Sequence, residues 1–214
     1  MSALQELYTA VLEGNANSAK TVTQQLLDAG TDPQELLNKA MIPAMDEVGR
    51  RFETNEYFVP ELLISARAMK GALELVKPLL VAGGMQPVAR VAIGTVKGDL
   101  HDIGKNLVAA MLEGGGFEVV DLGVDVSPEK FIEAVKAKNA SVVALSALLT
   151  TTMPAMGTVI KALEEAGVRK QVKVIIGGAP ITRQYAEQIG ADGYSDNANG
   201  AVAIARTLAV PDKN

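Results

Sequence analysis

The spacing of apolar residues divides the chain into two stretches with different periods. Up to about residue 82 the repeats fit helices alone. Leu4, Leu7 and Val11 form a stripe that a Ser2/Gln5 capping pattern opens and Gly14 stops. Val22, Leu26 and Leu27 belong to a second helix, from near Asn17 to Gly30. Asp32-Pro33-Gln34-Glu35 is a third start, with Asp as cap and Pro at the first helical position; the helix is expected to reach Phe52 with a kink at Pro43. Pro60 opens a fourth, with Leu62, Leu63, Ala66, Met69, Leu73 and Val76 on its expected buried side. Four helices on short loops predict a small bundle over residues 1–82.

Glycine and proline interrupt the pattern at 81–87, the expected linker. From Val88 onward strands and helices alternate. Strands are predicted at 88–96, 117–122, 141–147, 172–176 and 192–195, and helices at 103–114, 128–138, 154–166, 182–189 and 198–209. The strands are rich in Val, Ile and Ala without polar alternation, as in a parallel sheet covered on both faces. The predicted class is α/β: a four-helix bundle, then a doubly wound, flavodoxin-like (Rossmann-like) domain of five parallel strands over 88–214, in order 2-1-3-4-5.

Composition removes several functions. The net charge of −5, with no Lys/Arg block, argues against a nucleic-acid surface. Having no cysteine, the chain can form no disulfide, thiolate zinc site or thiolate-held iron–sulfur cluster, which suits a reducing compartment. No apolar run reaches the roughly 18 residues of a membrane span. Residues 1–7 read as a helix without the charged and apolar regions of a signal peptide, so a cytoplasmic location is expected.

Three strand ends carry unusual residues: Gly98–Gly104 with the only histidine, His101; Ser146–Thr152; and Gly177-Gly178-Ala-Pro180. In the predicted strand order all three rise from one edge, at the topological switch point where open α/β sheets bind ligands. A lone imidazole there, with Asp99 fixing its tautomer, can ligate a metal. The same residues also have plain structural readings. His101 can be a surface or capping residue, Gly177-Gly178 a turn, Thr152 the cap of a helix at Pro154 and Asp102 the cap of the helix at Ile103. Phosphate-loop and nucleophile-elbow spacings are absent. One histidine and no cysteine leave no conventional zinc or non-haem iron site, whereas a metal in a macrocycle needs a single protein ligand.

Asp99-x-His101-x-x-Gly104, Ser146-x-Leu148 and Gly177-Gly178 together resemble the three-part cobalamin-binding signature of methionine synthase, the B12-dependent mutases and the corrinoid proteins of methyltransferase systems. Residues 46–63 look like the helical cap domain of methionine synthase and the corrinoid proteins, and the length is similar to free-standing corrinoid proteins of the methanol, methylamine or O-demethylase type. The resemblance implies that cobalamin (methylcobalamin/cob(I)alamin) or a related corrinoid binds base-off, with His101 as the axial cobalt ligand. Asp99 and a hydroxyl relay protons behind it; Thr152 stands where the family usually has serine. Asp102, Ile103, Gly104, Ser146, Leu148, Thr150, Gly177, Gly178 and Tyr194 would line the cofactor, and Phe58, Leu62 or Leu63 of the cap would shield the upper face, with Gly83-Gly84 as hinge. The implied function is a methyl carrier, without catalysis of its own, between a substrate-specific methyltransferase and a second one serving tetrahydrofolate or coenzyme M, with a reductive activase as a further partner. The alternatives are a small adenosylcobalamin mutase subunit, which needs no cap, and a B12-dependent sensor, which usually carries a DNA-binding module.

Overall fold

The computed structural model describes residues 2–84 and 87–209. The predicted domain limits at residues 1 and 214, and linker residues 85 and 86, lie outside them. The chain falls into two compact units, one of the residues up to Pro87 with Glu113–Gly116, the other of Val88–Leu112 and the residues from Phe117 onward.

The first unit is helical: α1 (Ala3–Leu12), α2 (Ala16–Asp28), α3 (Pro33–Leu36), α4 (Ile42–Glu53) and α5 (Val59–Ala82). Ser2, Asn15 and Asp32 cap the first three by accepting the N–H of Gln5, Ser18 and Gln34. The kink expected at Pro43 is instead a wide π-helical turn, Leu37–Met41, between α3 and α4. Proline has no N–H for the carbonyl four residues back and its ring crowds that carbonyl, so a widened turn ahead of Pro43 relieves both problems. α5 begins at Val59, and the Glu61 carboxylate accepts the Phe58 N–H at its entrance (3.0 Å). Leu62 is fully buried, but Leu63, assigned to the same face, is exposed; adjacent helical residues point about 100° apart, so the core takes one of the pair.

The second unit is a five-stranded parallel sheet ordered β2-β1-β3-β4-β5, as predicted. Its strands are β1 (Arg90–Thr95), β2 (Glu118–Asp121), β3 (Val142–Ser146), β4 (Lys173–Gly177) and β5 (Gly193–Tyr194). Between and after them run α6 (Ile103–Gly114), α7 (Pro128–Lys138), α8 (Pro154–Glu165), α9 (Arg183–Ile189) and α10 (Ala198–Ala209). Val143, Leu145, Phe131, Met156, Leu163 and Ile176 belong to one buried cluster. The Phe131 ring of α7 lies so close under Gly94 of β1 that an added Cβ there would meet it at 2.9 Å. The register sets Thr95 beside Ser146 and Ser146 beside Gly177, so the carboxyl ends of β1, β3 and β4 form one row.

Removing the Phe131 ring should empty the space under β1. We expect Phe131→Ala to cost about 3–5 kcal/mol, measured as a lowered urea midpoint; an unchanged midpoint would mean that this ring does not support the sheet.

Candidate functional site

Beyond β1 the chain turns sharply at Gly98, where φ is +86°, a left-handed conformation that glycine adopts without strain. The turn sends Asp99 inward, where its side chain is completely buried, and leaves the His101 side chain half exposed. The Asp99 carboxylate collects four donors. Oδ1 accepts the His101 N–H (3.1 Å) and faces His101 Nδ1 (2.8 Å). Oδ2 accepts the Leu148 N–H (2.8 Å) and the Thr152 hydroxyl (2.6 Å). The Thr95 hydroxyl donates to the His101 carbonyl (2.8 Å), fixing the backbone behind the ring.

Burial alone would push the Asp99 carboxyl up, but the hydrogen bonds from Thr152, Leu148 and His101 outweigh it and hold the group well below the usual carboxylate range. Asp99 is therefore ionised and can only accept. In consequence His101 Nδ1 carries the proton that points at Oδ1, and in the neutral ring Nε2 keeps its lone pair. The arrangement is that of a metal-ligating histidine with a carboxylate behind it.

The three sequence segments meet as the strand order requires. Thr152 does not cap α8, whose N-cap is Met153 with no side-chain cap bond; its one hydroxyl proton goes to the ionised carboxylate, with the Leu149 carbonyl a more distant acceptor at 3.0 Å. Leu148 contributes its N–H to Asp99 while its side chain is exposed. Ser146 and Gly177 lie in register, and Gly178, at φ +134°, passes so near β3 that a Cβ on it would sit 1.9 Å from the Ala147 carbonyl oxygen. Asp102 accepts from the Asn106 side-chain amide (3.1 Å), and Thr150 is exposed. Tyr194, on β5, packs half-buried against the sheet core.

Ile103 is the first residue of α6. It is 81% exposed, and Leu100, Leu148 and Leu149 are exposed too, an apolar shelf at the strand ends. Such surface suits a large flat ligand more than water. In the helical unit Phe58 is 60% exposed, whereas Leu62 has no exposed surface to offer. Among the described residues there is no group of three or more His, Cys, Asp or Glu that could hold a metal ion.

Sequence reasoning missed Thr95, Lys105, Asp121 and Asp125. Lys105 is buried and its ammonium meets both oxygens of Asp121 (2.7 and 2.6 Å). Asp125 accepts the Gly98 N–H and pairs with Lys97. A lysine four residues beyond the histidine, in the first turn of an apolar helix, was the signal available for Lys105.

Two family models, each described as a B12 binding domain, match residues 89–203 and 3–77. Trimethylamine corrinoid protein 2 of Methanosarcina mazei is 45% identical over 196 residues, 91% of this chain and 90% of that protein. Dimethylamine corrinoid protein 1 of Methanosarcina acetivorans is 43% identical over 206 residues, 96% of each. The methanol:cobalamin methyltransferase complex MtaBC of Methanosarcina barkeri contains a chain that is 31% identical and superposes with a TM-score of 0.86, covering 97% of this chain and 79% of that one.

The depressed Asp99 value links to stability with a definite sign. Because the folded group titrates below its ordinary value of about 4, its contribution is present above that pH and is lost as pH falls toward the folded value. Asp99→Asn, which turns an amide N–H toward facing donors, should be less stable than the wild-type apoprotein near neutrality. Urea midpoints measured between about pH 6 and about pH 3 should show that gap closing on acidification; a constant gap would contradict the ionised, four-donor carboxylate.

Proposed function

The chain belongs to the B12-binding corrinoid proteins, and from that premise we propose how its own residues serve a methyl carrier. Residues at the sheet edge fit a corrinoid on the evidence of their geometry. Asp99 fixes the proton on Nδ1 of a half-exposed His101 and leaves Nε2 to face a metal. The exposed side chains of Leu100, Ile103, Leu148 and Leu149 supply apolar surface for a macrocycle. A Cβ on Gly104 would meet nothing within 4 Å, so the start of α6 leaves open room beside the histidine.

His101 would hold the cobalt, and Ser146, Leu148, Thr150, Gly177, Gly178 and Tyr194 would contact the rest of the molecule along the strand ends. When bound, the corrinoid supplies a cobalt centre that accepts and gives up a methyl group. The chain's part would be to set the basicity of the ligating imidazole. Asp99 holds the Nδ1 proton, and Thr152 donates to the far oxygen, so the negative charge that supports the imidazole is itself stabilised. Threonine would supply the hydroxyl that serine usually does, and its 2.6 Å bond to Asp99 supports that role. Its Cγ2 rests over the turn, 3.7 Å from where a Gly98 Cβ would be.

As a corrinoid protein the chain works with a methyltransferase. We infer that it takes the methyl group from a substrate-specific methyltransferase and passes it to a second one serving tetrahydrofolate or coenzyme M, with a reductive activase restoring the cofactor. The names of the relatives, which print trimethylamine, dimethylamine and methanol, support a small compound with a methyl group on nitrogen or oxygen as the source. No helix among the described residues is long and apolar enough to cross a membrane.

The observation that carries this reading is the His101–Asp99–Thr152 chain of hydrogen bonds. Apoprotein titrated with hydroxocobalamin, followed by absorbance and gel filtration, should retain cofactor; Asp99→Ala should lower affinity by about 10–100-fold, and His101→Ala should alter the spectrum. Retention by both variants with wild-type affinity and spectrum would contradict the assignment.

A further inference from the structure

The loop that carries His101 is gripped by a strand that contributes nothing to the three-part motif. β2 leaves the sheet through residues 121–126, and this stretch reaches the His101 loop on both flanks. On the near flank Asp125 Oδ1 accepts the Gly98 N–H (2.8 Å), Oδ2 pairs with the Lys97 ammonium (2.9 Å), and the Asp125 N–H donates to the Asp99 carbonyl (2.9 Å). On the far flank Asp121 takes the Lys105 ammonium on both oxygens, and its Oδ1 also accepts the Gly123 N–H (2.9 Å). Both contacts show specific construction. Asp125 sits at φ +52°, a conformation unusual for a residue with a side chain, and Lys105 is a lysine at 3% exposure.

We propose that the β2 exit loop is a brace for the axial-ligand loop, and that Asp125 is a positioning residue: it fixes the peptide between Gly98 and Asp99 and so aims the Asp99 carboxylate at His101. The consequence at the metal rests on the corrinoid reading; the brace itself is a property of the chain alone. Asp125 holds that peptide's two neighbours at once, the N–H before Asp99 and the carbonyl after it. The bonds from Asp99 to Leu148 and Thr152 are 2.8 and 2.6 Å, and they tolerate little rotation of the residue that carries the carboxylate. With the brace loosened, His101 Nδ1 loses its fixed acceptor, the two ring tautomers mix, and Nε2 is protonated for part of the time.

The chain has a single histidine, so its ring nitrogens can be read without assignment ambiguity by 15N NMR of the apoprotein. At a pH where the ring is neutral, wild type should show the Nδ1–H tautomer alone. Asp125→Asn keeps an oxygen for the Gly98 N–H and tolerates the left-handed backbone, so it should retain that tautomer. Asp125→Gly relieves the backbone and removes the acceptor; it should show both tautomers while amide signals remote from the loop stay in place. Asp125→Ser, too short to reach the Gly98 N–H, is read the same way if the glycine variant does not fold. A glycine or serine variant that is folded and retains the pure Nδ1–H tautomer would overturn the proposal. Tautomer mixing in the glycine or serine variant, together with a wild-type chain that takes up no hydroxocobalamin, would leave the brace standing and remove the corrinoid reading instead.

Discussion

One buried carboxylate governs the site. Asp99 has no solvent around it, and four donors compensate for that loss: two from His101, one from the main chain after β3 and one from Thr152. A buried carboxylate with fewer partners would take up a proton, and a protonated Asp99 could no longer dictate which nitrogen of His101 is free. The ionisation of Asp99 and the availability of Nε2 are thus two sides of one arrangement.

The fold exists at this edge to bring those donors together. Asp99 and Thr152 are 53 positions apart in the chain. They meet because β1 and β3 are neighbours in the sheet, with β2 turned to the other side, so the loops after β1 and β3 open onto the same crevice. Gly94 lets the Phe131 ring close against β1, and Gly178 lets β4 exit against the Ala147 carbonyl. A side chain at Gly94 would push the Phe131 ring of α7 off β1, and one at Gly178 would push the exit of β4 away from the chain that follows β3.

The residues that could be read from the sequence are those whose side-chain type is itself the signal. Val/Ile/Ala strands alternating with amphipathic helices pointed to a five-stranded parallel sheet of the flavodoxin-like class, and a lone histidine two residues from an aspartate at a strand end marked the candidate pair. What could not be read is of two kinds. The Leu148 N–H on Asp99 and the Asp125 N–H on the Asp99 carbonyl are main-chain contacts that any residue type could make, so no residue identity announces them. Leu63 fails differently: periodicity assigns every well-spaced apolar residue to the core and cannot tell burial from an apolar surface left exposed. The π-helical turn at Leu37–Met41 was hidden because proline signals a disturbance without specifying its form.

The central claim is that His101 is the axial ligand, and electron paramagnetic resonance tests it most directly. The protein would be reconstituted with cobalamin labelled with 15N in its benzimidazole and examined in the cob(II) form. If His101 ligates, the axial nitrogen splitting is that of 14N, since that nitrogen then comes from the only histidine in the chain. A 15N splitting would show that the cofactor keeps its own base, and the His101–Asp99–Thr152 arrangement would then have no ligand role.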